Sequence, residues 1–131
     1  MYSRLNEVLE IFQNMFPNKS KSWIKRCVTR LPTIKQISRN VWFLRCLPKL
    51  GDRRPYYIVV YDDKKGRYNC TCYDEFSPWG ERRRREVCSH VGAVILAKLL
   101  GQEYLRLIQN EHNNTIWRKR DYKKSTKKIT R

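Results

Sequence analysis

Gly66-Arg67-Tyr68-Asn69-Cys70-Thr71-Cys72, followed after fifteen residues by Cys88-Ser89-His90-Val91-Gly92-Ala93-Val94-Ile95-Leu96, is the stretch on which the fold turns. Three thiols and one imidazole, Cys70, Cys72, Cys88 and His90, make a complete ligand set for one structural Zn²⁺, which takes four sulfur or nitrogen donors in a closed tetrahedral site. In an extended strand Cys70 and Cys72 point to the same side, because side chains alternate with period 2. Cys88 and His90 fall where a loop becomes a helix, before the 3.6-residue period is established, so both can turn inward. The positive end of the helix dipole favours thiolates there. The residues alone also allow a plainer arrangement of separately buried thiols and a polar histidine. A disulfide is disfavoured, since cysteines two apart on a strand do not reach bridging geometry easily.

Working outward, three segments have strand character: 41–47, 56–62 and 67–72, rich in β-branched and aromatic residues. Asp62-Asp63-Lys64-Lys65-Gly66 is a good hairpin turn between the last two. On the C-terminal side, Val87, Val91, Val94, Ile95 and Leu99 predict a helix over about 86–100. Gly101 stands at the C′ position, and a further helix follows over 102–111. On the N-terminal side, Leu5, Val8, Leu9, Phe12, Met15 and Phe16 form one apolar helical stripe, with Ser3 as N-cap and Pro17 as stop. A second helix is expected over about 20–31, with Ile24, Cys27, Val28 and Leu31 inward and Lys25, Arg26 and Arg30 outward. The class is therefore α+β: a small antiparallel sheet and helix, a ββα arrangement, with additional N-terminal and C-terminal helices. Residues 1–40 are expected as a helical segment, 41–112 as the ligand-bearing domain with its trailing helix, and 113–131 as a basic flexible tail.

The chain has 131 residues and a formal charge of +17, with 29 Lys and Arg against 12 Asp and Glu. It is 40% hydrophobic and 12% aromatic, too rich in core formers for a wholly disordered basic peptide. No apolar run approaches the roughly 18–20 residues needed to cross a bilayer. The N-terminus lacks a secretory apolar region. An intracellular location, cytoplasm and nucleoid or nucleus, is expected, where five reduced cysteines are unremarkable. The charge is uneven. From Ile11 to Gly51 there are nine basic residues and no acid, Arg82 to Arg85 is an unbroken run, and Arg118 to Arg131 carries eight basic residues and one acid. A polyanion is the default partner of such a chain, with a membrane surface as the weaker rival.

The Cys-x-Cys, variable gap, Cys-x-His pattern resembles the SWIM-type zinc finger, a β-hairpin followed by a helix. Val41-Trp42-Phe43-Leu44-Arg45-Cys46 is similar to its first, Trp-containing strand, and Tyr56-Tyr57-Ile58-Val59-Val60 to its second. The stretch quoted above resembles its ligand-bearing third strand and closing helix. The resemblance covers about residues 41–100 and implies Cys70, Cys72, Cys88 and His90 as the zinc ligands. It implies DNA binding or protein–protein contact without choosing between them. Members occur in chromatin remodellers, transposases and recombination proteins.

The expected function is zinc-dependent binding of nucleic acid, DNA rather than RNA, chiefly through phosphates. Arg82, Arg83, Arg84 and Arg85 lie between the two ligand pairs, so a bound metal pins both ends of their loop. Guanidinium forks suit phosphate oxygens. Lys25, Arg26 and Arg30 on the second helix, and Arg118, Lys119, Arg120, Lys123 and Lys124 in the tail, are the further candidate contacts. Each basic group also has a plain reading as a solvated or solubilising stretch. Trp42, Tyr57 and Trp79 read better as core or loop anchors than as base-stacking platforms, and His112 as an ordinary surface histidine. The alternative is a protein-interaction adaptor in a recombination or transposition complex. Catalysis is not expected: Asp62 and Asp63 fit a hairpin turn better than a metal-dependent nuclease site alongside Asp74 and Glu75, and no phosphate loop or nucleophile elbow is present.

Overall fold

The computed structural model describes residues 2–73 and 87–112. The expected α+β class forms: four antiparallel strands in the order β1-β2-β3-β4 with four α-helices. Helices α1 (Tyr2–Met15) and α2 (Lys21–Arg30) precede β1 (Ile34–Ser38), β2 (Val41–Arg45), β3 (Tyr56–Asp62) and β4 (Arg67–Cys70). Helix α3 (Ser89–Leu100) follows, and α4 covers 102–112.

Each boundary has a local cause. Ser20 caps α2, its hydroxyl accepting from the Trp23 amide at 3.1 Å. Asp62 Oδ1 accepts from the amides of Lys64 and Lys65 at 2.9 and 3.2 Å, and Gly66 supplies the positive φ that closes the hairpin. Gly101 stands after the last residue of α3 with φ 92. The α3 carbonyl of Leu100 accepts from the Arg4 guanidinium at 3.1 and 3.3 Å, which ties α1 to the far end of the helix.

Three boundaries differ from expectation. Ser3, expected as the N-cap of the first helix, lies inside α1, which begins at Tyr2. Segment 1–40 is not wholly helical, because Ile34–Ser38 adds an edge strand antiparallel to β2. Only Ile34 of its five residues is buried, so it shows little of the alternation that marks a half-buried strand; main-chain pairing holds it. The helix expected from about 86 begins at Ser89. Val87 takes φ 62, a left-handed conformation costly for a β-branched residue, and Cys88 is the N-cap.

Helix α3 is the hub. All of its residues except Ile95, Lys98 and Leu99 are buried, between α1 and α2 on one side and the sheet on the other. Phe12, Phe16 and Trp23 pack ring against ring, with centroids 5.1–5.6 Å apart. Trp23 reaches α3 at Gly92, where an added Cβ would stand 2.6 Å from Trp23 Cζ2 and 2.6 Å from Cys27 Sγ. That glycine allows α2 and α3 to approach so closely. Among the described residues no helix is long and apolar enough to cross a membrane.

Candidate metal centre

Cys70 ends β4 with its side chain on the inner face, opposite Val59. The chain then turns, the Tyr73 amide donating to the Cys70 carbonyl at 2.9 Å, and this brings Cys72 back beside Cys70. The Cys72 amide lies 3.5 Å from Cys70 Sγ, and the Val91 amide lies 3.5 Å from Cys88 Sγ as the cap of α3. Backbone N–H groups aimed at sulfur, one pair at a helix N-terminus, stabilise thiolates. Tyr73, itself buried, accepts the Cys88 amide at its hydroxyl (3.2 Å), fixing the entry to α3.

One ligand atom from each of Cys70, Cys72, Cys88 and His90 lies within 4.8 Å of every other. A tetrahedron drawn with Zn–S near 2.3 Å and Zn–N near 2.0–2.1 Å has edges of about 3.5–3.8 Å, so closure asks for about an ångström at most. These four residues can hold a metal ion.

Three observations fit a cation at their centre. Cys70, Cys72 and His90 are buried, and none of the chain's five cysteines is in a disulfide. Among the described residues neither ring nitrogen of His90 has a hydrogen-bond partner; Nε2 lies 3.2 Å from Asp52 Oδ1 without hydrogen-bond alignment. Thirdly, the thiols are pushed in opposite directions by one another. Burial opposes ionisation of Cys88, yet Cys70, Cys72 and His90 hold its thiol well below the ordinary value. Hydrogen bonding to Cys72 and Cys88, with burial, drives the Cys70 thiol up. A dication removes that conflict, since a coordinated thiol is deprotonated outright. Cys27 makes the contrast: burial raises it to about 12, and it behaves as a core residue.

A second layer orients the histidine. Tyr57 stacks on His90 with centroids 4.0 Å apart, and its hydroxyl accepts from the amides of Arg53 and Arg54 at 3.1 and 3.3 Å. Asp52 is gripped by the Arg30 guanidinium through two bonds of 2.6 and 2.9 Å and accepts the Leu47 amide at 2.9 Å. Burial works against its charge, but Arg30 and that amide keep the carboxyl below its usual range. Arg30 Nε donates to Ser89 Oγ at 2.9 Å. A carboxylate behind a metal-binding histidine fixes ring orientation and raises ligand basicity.

Arg30 therefore corrects the expectation that it faces outward: its side chain is 2% exposed and committed to Asp52 and Ser89. Its signal lay in its spacing, three residues after Cys27 and inside the apolar stripe. Asp52, missed altogether, is the first acid after the basic stretch that begins at Ile11, and a lone acid there is marked for pairing. Lys25 and Arg26 are exposed on α2, as expected. Asp62 and Asp63 serve the hairpin, the latter accepting from Asn40 Nδ2 at 2.7 Å. Trp42 and Tyr57 are core residues. Trp79, Asp74, Glu75, Arg82, Arg83, Arg84, Arg85, Arg118, Lys119, Arg120, Lys123, Lys124 and the tail lie outside the described residues. Comparison with protein families, curated proteins and solved structures finds no match to this chain.

Proposed function

We propose that the chain is a zinc-dependent nucleic-acid-binding protein of SWIM-like design, with one structural Zn²⁺ held by Cys70, Cys72, Cys88 and His90. Three thiolates and an imidazole are a zinc set by ligand softness, since calcium and magnesium prefer oxygen. The zinc supplies folding energy and leaves no open coordination position for chemistry. The protein's contribution is to bind, and its charge directs it to phosphate, DNA more than RNA.

The observation that carries this reading is the meeting of Cys72 and Cys88 at one point. Both ends of segment 73–87, which contains Arg82, Arg83, Arg84 and Arg85, are thereby tied to the same ion. Four guanidinium groups in one short stretch of sequence between those two ligands suit the oxygens of a polyanion. Lys25 and Arg26 are exposed contributors to the net charge of +17. Contacts of this kind read phosphates and carry little sequence preference.

The test is a salt titration on short duplex DNA, with zinc measured on the same preparation. Neutralising about 6–8 phosphates gives a slope of log K against log salt near −5 to −7. A slope near zero overturns the reading. Ile11 and Met15, four residues apart on α1 and each about half exposed, favour a second reading as a protein-interaction adaptor. A co-purifying partner together with no mobility shift on any nucleic acid selects it.

A further inference from the structure

The sheet has an outer face that α3 does not cover. The buried positions Trp42, Leu44, Tyr57, Val59 and Cys70 alternate with Val41, Phe43, Arg45, Tyr56, Ile58 and Val60, which point the other way. On this outer face Phe43 and Tyr56 stack across β2 and β3, with centroids 5.1 Å apart and planes 26° from parallel. Tyr56 is 49% exposed and Val60 38%. A tyrosine left half in water beside a phenylalanine is a ring platform rather than core.

Cations border it. Lys35 on β1 is the register partner of Phe43, and Arg45 on β2 is the partner of Tyr56, so each ring has an exposed positive charge beside it, both on the β1 side of the pair. An open hollow of about 250 Å³ beside Phe43 is lined by both Lys35 and Arg45. The strand positions of this face carry no acid until Asp62, at the hairpin end, whose carboxylate is occupied by the Lys64 and Lys65 amides. The positive field reaches His112, whose pKa is lowered by partial burial and then by Arg45 and Lys49.

We propose that the outer face of the sheet is a binding site for single-stranded nucleic acid, with unpaired bases stacking on Phe43 and Tyr56 and their phosphates meeting Lys35 and Arg45. This rests on the nucleic-acid reading above and adds to it a strand preference and a set of residues other than Arg82 to Arg85. Stacking needs an exposed base face, which a duplex hides between its neighbours and a single strand offers. The mixture of ring and charge points to nucleic acid over a protein partner, because a protein interface core is depleted in charge. The rings accept any base, so the site discriminates strandedness and not sequence.

The experiment uses the full zinc-loaded chain and fluorescence anisotropy with labelled oligothymidylate, oligouridylate and a DNA duplex of equal length. Tyr56→Ala is expected to weaken single-strand binding by about 5- to 150-fold, the range for loss of one stacking ring. Duplex affinity and the salt slope stay unchanged, and Tyr56→Trp restores binding. The oligouridylate arm tells RNA from DNA as the source of the strand. Undiminished single-strand affinity in Tyr56→Ala overturns the inference while leaving the phosphate reading intact, as does an equal loss on duplex. A wild-type chain that binds none of the three overturns both. Sedimentation of the free chain adds an independent result: a self-association that Tyr56→Ala abolishes makes this face a protein interface and overturns the proposal. Melting and zinc content of each variant check folding. If Tyr56→Ala melts early, ultraviolet cross-linking of the wild type to oligothymidylate decides, with adducts on the peptides of Phe43 or Tyr56 supporting the site and adducts confined elsewhere overturning it.

Discussion

The inner and outer faces of the sheet are built from neighbouring residues of the same strands, yet they meet different surroundings. Leu44 and Val59 are fully buried against the helices, while Arg45 and Val60, each the next residue along, are exposed. The inner face continues without a break from apolar packing into the candidate metal centre: Val59 pairs with Cys70, and Tyr57 stacks on His90. The core and the four candidate ligands therefore share one set of contacts. The outer face carries the Phe43–Tyr56 rings and the Lys35 and Arg45 charges, and its side chains contribute little to the core. Such a division lets side chains on the outer face change without disturbing the inner one, because the pleat separates the two sets by one residue.

Substitutions on each face test that division. The largest effect is expected from Cys72→Ser or from a strong chelator. Structural zinc contributes about 10–16 kcal/mol apparent in small finger domains, so loss of a ligand removes bound zinc and the cooperative melting transition together. Elemental analysis and calorimetry on one preparation read both, and undiminished zinc in Cys72→Ser refutes the ligand set. Next comes Asp52→Ala. It leaves the buried Arg30 guanidinium without its carboxylate, a loss of about 3–5 kcal/mol. It also removes the group behind His90, lowering zinc affinity about 10- to 100-fold. A competition titration with a chromophoric chelator measures the second effect; unchanged affinity would separate Asp52 from the metal centre.

Smaller effects sharpen the contrast. Gly92→Ala pushes a methyl group into Trp23 and Cys27 and is expected to cost about 1–3 kcal/mol in urea unfolding, with zinc retained. Full stability in that variant would mean that α2 can move away from α3. The smallest change is expected from Val60→Thr on the outer face: within about 0.5 kcal/mol, with no change in zinc content. A large loss there would show that the outer face takes part in holding the fold.

Much of this architecture was legible from local pattern. The period of Leu5, Val8, Leu9, Phe12, Met15 and Phe16 marks α1, although Met15 is left half exposed, and Asp62 to Gly66 marks the hairpin. The Cys-x-Cys and Cys-x-His pairs lie where strand and helix geometry can gather them. These features depend on neighbours a few residues away, which a linear pattern displays. Ile34–Ser38 was not legible, since an edge strand exposed on most of its length lacks alternation and is defined by hydrogen bonds to β2.

By itself the sequence determined the α+β class, the basic charge and the four candidate ligands, because each follows from residue type and short-range periodicity. Only the tertiary structure decided the fate of Arg30, Asp52, Phe43 and Tyr56. Arg30 turned inward because Asp52 and Ser89, 22 and 59 residues further on, offer it buried acceptors. The Phe43 and Tyr56 rings became a surface platform because the pleat put them opposite the face that α3 covers. Burial and pairing are properties of what the folded chain brings alongside a residue, and no local pattern contains them.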